Sequence, residues 1–199
     1  MISSRKELAF YIRADRMMNR GVFRFSLRQR LLSILSPDYI MRYLVAMRKL
    51  SYYRHRGSLL AWFYLARYNR LGLKLGFSIG CDVFGYGLVI PHHGTIVVGG
   101  SNRVGNFAVL HTSTCISDHG HVIGDGLYLA TGSIITSKVT LGDGVSVAAN
   151  SVVNRDSEGQ VLLAGSPAVV KGERRIWYEA EADGKYRERV RKIESDLLR

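Results

Sequence analysis

Six histidines occur in the chain, and five of them fall within thirty residues: His92, His93, His111, His119 and His121. His92 sits beside His93 in Val89–Gly100, VIPHHGTIVVGG, ahead of a β-branched run and a glycine pair. Asp118, His119 and His121 share a second short segment, Ser117-Asp-His-Gly-His. An imidazole titrates near neutrality, so it suits removal of a proton from a hydroxyl at working pH. An alcohol is a poor nucleophile until that proton is taken. Two cysteines, Cys81 and Cys115, lack metal-site spacing and number too few for a disulfide framework. They read as reduced thiols of a cytoplasmic protein, and Cys115 as a core or wall residue rather than a nucleophile.

Such groups act only when something rigid holds them. From residue 77 an aliphatic or aromatic residue recurs every six: Phe84, Ile90, Ile96, then Val104, Leu110, Ile116, then Ile123, Leu129, Ile135, Leu141, Val147, Val153. Glycine or alanine often follows, as in IGDG, LATG, LGDG and VAAN. A six-residue step fits a short strand and a tight turn, and three steps close one triangular coil. The period breaks twice, with two extra residues between Ile96 and Val104 and one between Ile116 and Ile123. Insertions in a solenoid map to its corners. The register places His92, Thr112, Thr131 and Ala149 in one column up an edge, about 4.8 Å apart per coil.

The first 76 residues read as helices. Ser4–Glu7 and Ser26–Gln29 fit the capping box. Gly21 ends the first helix, Pro37 is expected at the first position of the third, Gly57 breaks it, Ser58 caps the fourth and Gly72 ends that one. Tyr186, Val190, Ile193 and Leu197 make a helical stripe in the tail. The reading is therefore a basic α-helical region over 1–76, a β-helix over 77–171 and a helical tail over 172–199. Helices and tail are expected to cap the open ends of the solenoid.

Residues 1–76 hold 16 Lys+Arg against 3 Asp+Glu, whereas residues 77–171 hold 4 against 6. The positive charge thus belongs to the helical region. No zinc finger, RNA-recognition signature or helix-turn-helix pattern accompanies it, so nucleic acid is not the expected partner. A basic amphipathic platform suits helix packing and also contact with an anionic membrane surface. No apolar run approaches the roughly 20 residues of a membrane span, and no signal-peptide core is evident. The expected location is cytoplasmic, with membrane association at the inner face.

The repeat over 77–171, the segment LAGSPAVVKG (Leu163–Gly172) and GLVIPHHGTIVVGG together resemble the hexapeptide-repeat acyltransferases. Within them the chain is most similar to the serine acetyltransferase branch, which includes acetyltransferases found with surface-polysaccharide biosynthesis. The resemblance implies a left-handed parallel β-helix, a homotrimer with sites between subunits, and acetyl-CoA as co-substrate. It implies His92 as general base, with Asp118, His119 and His121 as further catalytic candidates. Thr112, Thr131, Ala149 and Lys171 are the implied acetyl-CoA contacts. His93 has no matching role and reads as solvated.

In that branch an aspartate precedes the base, where this chain has Phe77. Asp82 is nearby but out of place. An acidic residue that helps hold serine is replaced by Pro91, and the ending SDLLR lacks the branch's terminal isoleucine. These departures favour a sugar hydroxyl as acceptor over serine, which is the alternative. A zinc enzyme using His92, His111, His119 and His121 and a non-catalytic scaffold are the readings from other classes.

Overall fold

A computed structural model describes residues 2–180, 182 and 184–198, with Arg30 and Ser33 described by their backbone alone. Four helices come first: α1 (Arg5–Arg20), α2 (Leu27–Leu35), α3 (Tyr39–His55) and α4 (Leu60–Leu75). Ser4 Oγ accepts from Glu7 N, and Gly21 closes α1 in the left-handed region at φ 74°. The Glu7 carboxylate turns to Ser3 N and Oγ (2.7 and 2.8 Å) rather than to Ser4 N, so that capping box is displaced by one residue. The box at Ser26 and Gln29 forms in full. Asp38, not Ser36, caps α3, which leaves Pro37 before the cap. Ser58 Oγ accepts from Leu60 N at the start of α4. Gly72 does not end α4, which runs to Leu75 and stops at Gly76, φ 78°. A Cβ on Gly72 would lie 2.7 Å from the Phe77 carbonyl, so close packing explains that glycine.

From residue 77 the chain winds as a parallel β-helix. One five-stranded sheet holds, in spatial order, β1 (Phe77–Ile79), β2 (Ile96–Val98), β5 (Thr114–Ile116), β8 (Ile134–Ile135) and β11 (Val152–Val153). The second is β3 (Arg103–Val104), β6 (Val122–Ile123) and β9 (Thr140–Leu141). The third runs from β4 (Val109–Leu110) through β7 (Tyr128–Leu129) and β10 (Ser146–Val147) to β12 (Val161–Gly165) and the antiparallel β13 (Ala168–Glu173). Inward aliphatics such as Leu110, Ile116, Leu129, Ile135 and Val147 fill the prism and are almost fully buried.

Strand pairing corrects one register. Val98, not Ile96, stands opposite Ile116, and Ile96 stands opposite Thr114. The two extra residues therefore lie between Ile90 and Val98, in the Pro91–Thr95 corner itself. The one-residue insertion falls where expected, between Ile116 and Ile123.

Tyr43, Leu44 and Met47 of α3 share one core with Ile79, Phe84 and Leu88, so α3 closes the N-terminal end of the prism. The tail does not close the other end. It carries α5 (Trp177–Ala180) and α6 (Lys185–Leu197) back along the third sheet to α1. There Trp177, Val190 and Ile193 form a second core with Phe10, Met17, Val89, Phe107 and Val109. Trp177 Nε1 donates to the Phe107 carbonyl at 2.8 Å. Among the described residues, no helix is long and apolar enough to cross a membrane.

Candidate active site

The three sheets meet at three corners. His92 lies at the corner between the third and first sheets, where the two extra residues widen the turn. Gly94 rather than His92 stacks over Thr112: a Cβ on Gly94 would meet Thr112 Cγ2 at 3.0 Å. Pro91, His92 and His93 consequently bulge out, and all three are exposed. His93 turns toward the helices and lines an open pocket of about 400 Å³ with Arg20, Tyr39 and Lys74.

Beside His92 stands His111, with ring centroids 6.3 Å apart. His111 Nε2 and the Tyr128 hydroxyl are hydrogen-bonded at 2.9 Å. Burial, with a smaller contribution from His92, pushes the His111 pKa below the usual histidine value. His111 therefore favours the neutral form, which limits charge repulsion beside His92.

Below the histidines the corner is built from small residues. Gly132 N donates to the Thr112 carbonyl (3.1 Å) and Asn150 N to that of Thr131 (3.0 Å), so Thr112, Thr131 and Ala149 do stack one per coil. Thr112 is half-buried, while Thr131 and Ala149 are exposed. Ala130 and Ala148 precede Thr131 and Ala149, and Ala164 stands opposite Ala148 one coil on. Gly165 N donates to Ser151 Oγ at 3.0 Å, so the β12–β13 hairpin extends the same corner, and Lys171 is exposed on that hairpin.

Asp118, His119 and His121 lie at the other end of β5, at the corner between the first and second sheets. Asp118 accepts from Ser101 Oγ and N, and these bonds hold its carboxyl below the usual range. His119 is exposed. His121 is fully buried; its Nδ1 accepts from Val139 N (3.2 Å) and its Nε2 meets Ser117 Oγ (3.1 Å). Both ring nitrogens are thus spent inside the corner. That geometry gives His121 a structural task in place of the catalytic one expected from the sequence.

Within one copy, neither candidate carboxylate bonds to His92. Asp82 is engaged by Ser51 Oγ (2.5 Å) and His55 Nε2 (3.3 Å) on α3, and Asp118 by Ser101. Phe77 is buried against the Tyr43 ring. The residues that sequence reasoning left out are Tyr128 and the pairing role of His111. Their signal is register: Leu110 stands opposite Leu129, which brings His111 over the strand that carries Tyr128. Among the described residues, no three His, Cys, Asp or Glu side chains converge to hold a metal ion.

A solenoid of short parallel strands with a six-residue step and a widened histidine corner defines a hexapeptide-repeat β-helix. Its similarity to known proteins runs to the serine acetyltransferases. Serine acetyltransferase from Brucella abortus superposes with a TM-score of 0.64 at 20% identity, covering 85% of this chain and 69% of that one. A serine acetyltransferase in complex with CoA gives 0.62 at 20% identity, covering 82% and 67%. The mitochondrial serine acetyltransferase 3 of Arabidopsis thaliana is 33% identical over 95 residues, 44% of this chain. The bifunctional protein GlmU of Gloeobacter violaceus is 39% identical over 66 residues, 33% of this chain. The chain spans only 24% and 14% of those two curated relatives. No family model matches.

Proposed function

We propose that the protein is an acetyl-CoA-dependent O-acetyltransferase that acts on a carbohydrate hydroxyl, in surface-polysaccharide biosynthesis. The observation that carries this reading is the widened corner, which turns His92 outward at the head of a column of small residues. Acetyl-CoA is long and thin. Its pantetheine arm lies along Thr112, Thr131 and Ala149, where backbone groups are within reach, and Lys171 meets the nucleotide phosphates. His92 takes the proton from the acceptor hydroxyl. The oxygen attacks the thioester carbonyl, backbone N–H groups hold the tetrahedral oxyanion, and thiolate leaves. No covalent enzyme intermediate is required.

His92 and the Asp118–His119 pair stand at opposite edges of the first sheet, so a site that uses all three takes them from two copies. The outer face of that sheet supports a trimer, because Val97, Cys115, Ile134 and Val152 point outward and Val97 and Ile134 are exposed. In the trimer, Asp118 and His119 of one copy approach His92 of the next. His121 braces the corner that presents them. The basic helices face an anionic membrane at the inner surface of a cytoplasmic location.

Serine is the second reading, favoured by the likeness to serine acetyltransferases. Pro91 argues against it, because it offers no carboxylate to the ammonium group. Mass spectrometry after incubation with acetyl-CoA, serine, sugar nucleotides and oligosaccharides tests the choice. Acetyl transfer to a carbohydrate with little turnover of serine is expected. Efficient serine turnover without transfer to any carbohydrate reverses it.

A further inference from the structure

Helix α2 carries its apolar stripe on the outside. Leu27, Leu31, Ile34 and Leu35 fall on one helical face, yet they are 75%, 59%, 71% and 85% exposed. No described residue of α2 joins either buried core. The helix is nevertheless well started, by the reciprocal Ser26–Gln29 bonds. A second apolar ridge, Leu59, Leu60, Trp62 and Phe63, opens α4 and is likewise exposed. Phe25, just before α2, and Phe63 of α4 line one groove of about 320 Å³ together with Arg16, Arg42, Lys49, Arg67 and Asp38, the last bonded to Arg20.

Charge decides what covers this face. The helical region has three acids, and each is engaged: Glu7 with Ser3, Asp15 with Arg48, and Asp38 with Arg20. Sixteen cationic side chains share that region. Exposed apolar ridges set in a field of one sign match the interfacial mode of membrane binding: apolar groups enter the acyl boundary and cations meet phosphates. A second copy presents the same positive face, so like charges oppose that pairing.

We propose that the α2–α4 face is a peripheral docking surface for an anionic phospholipid bilayer. Leu27, Leu31, Ile34 and Leu35 enter the acyl boundary, as do Trp62 and Phe63, and the cation-lined groove at Phe25 and Phe63 takes lipid phosphates. This sharpens the membrane contact named above into a defined surface, and it does not depend on acetyl transfer.

Vesicle sedimentation tests it without any acyl donor or acceptor. Vesicles of equal parts phosphatidylglycerol and phosphatidylcholine should carry the protein down, and pure phosphatidylcholine should leave it in solution. The pair Leu31→Glu and Leu35→Glu, and separately Trp62→Ala with Phe63→Ala, should each weaken binding by about tenfold or more. Acrylamide quenching should fall on the mixed vesicles, because exposed Trp62 becomes shielded whereas Trp177 is already buried. Absence of binding overturns the proposal. So does binding that survives both apolar pairs, since that is adsorption by charge alone. Self-association without lipid that these substitutions abolish overturns it in favour of a second copy.

Discussion

Asp15 on α1 and Arg48 on α3 form a buried ion pair at 2.8 Å that grips the first coil of the solenoid by its backbone. Arg48 donates to the carbonyls of Phe84 (2.7 Å) and Gly85 (2.6 Å), while Asp15 accepts from the amides of Gly87 (2.9 Å) and Leu88 (3.0 Å). The side chains are 2% and 1% exposed. Two helices and a β-turn thus share one set of charges, and every strong donor or acceptor on the pair finds a partner.

Removing one partner leaves the other charged and buried. Arg48→Met is therefore expected to destabilise the protein by about 3–5 kcal/mol, close to the loss from Asp15→Ala. The double substitution should cost less than the sum of the two. Urea melts of the four proteins check this. Strict additivity would show that the two groups act independently.

His92→Ala should lower kcat by roughly 10²–10⁴-fold while acetyl-CoA still binds. His93→Ala should cost much less, because that ring faces Tyr39 and Lys74 instead of the small-residue column. Continuous detection of released thiol measures both. Wild-type activity in His92→Ala would remove the base from the mechanism.

Ala149 stands in the column beyond Thr131, where a bulky side chain would obstruct a ligand lying along the corner. Ala149→Trp is expected to raise KM for acetyl-CoA about tenfold or more, with a smaller change for the acceptor. Initial rates with each substrate varied in turn decide it, and an unchanged KM for acetyl-CoA counts against the column.

His121 makes stability depend on pH. Burial, aided by His119, pushes its pKa below the ordinary histidine value, and His111 is shifted the same way by burial and His92. As pH falls, the unfolded chain therefore takes up protons first. The stabilisation is complete above the unfolded value of about 6.5 and is lost as pH drops below it. Tm should fall between about pH 7.5 and pH 5. His121→Ala should lose about 1–3 kcal/mol near pH 7.5, by leaving the Val139 amide unpaired, and should flatten the slope. A Tm independent of pH over that range contradicts the assignment.

Local signals carried much of the fold into the sequence. The caps at Ser4, Ser26 and Gly21 need only neighbours within one turn, and the six-residue period is self-reporting because every coil repeats it. The register at β2 was not legible for a physical reason. Ile96 and Val98 both point inward in one three-residue strand; Ile96 satisfies the step back to Ile90, and Val98 the step on to Val104. Only pairing with β5 chooses between them. His119 and His121 look alike in one dimension, but the turn at Gly120 (φ 70°) leaves one exposed and puts the other into the corner. Asp15 and Arg48 meet across 33 residues, and nothing in either helix announces it.

The clasp of α6 on α1 has a consequence for how the chain is made. Arg13 and Asp196 bond at 2.7 Å across 183 positions, and the Arg189 guanidinium reaches the Met18 carbonyl. Phe10 and Met17 find part of their apolar cover only in Trp177, Val190 and Ile193. At ribosomal speeds of about 5–20 residues per second, α1 waits on the order of ten seconds or more for that cover. During that interval a nascent amphipathic helix stands with one apolar side unclaimed, which is the state that chaperones recognise. A solenoid can otherwise grow coil by coil from neighbours alone, so this closing contact is the step that makes a modular chain behave as a single cooperative unit.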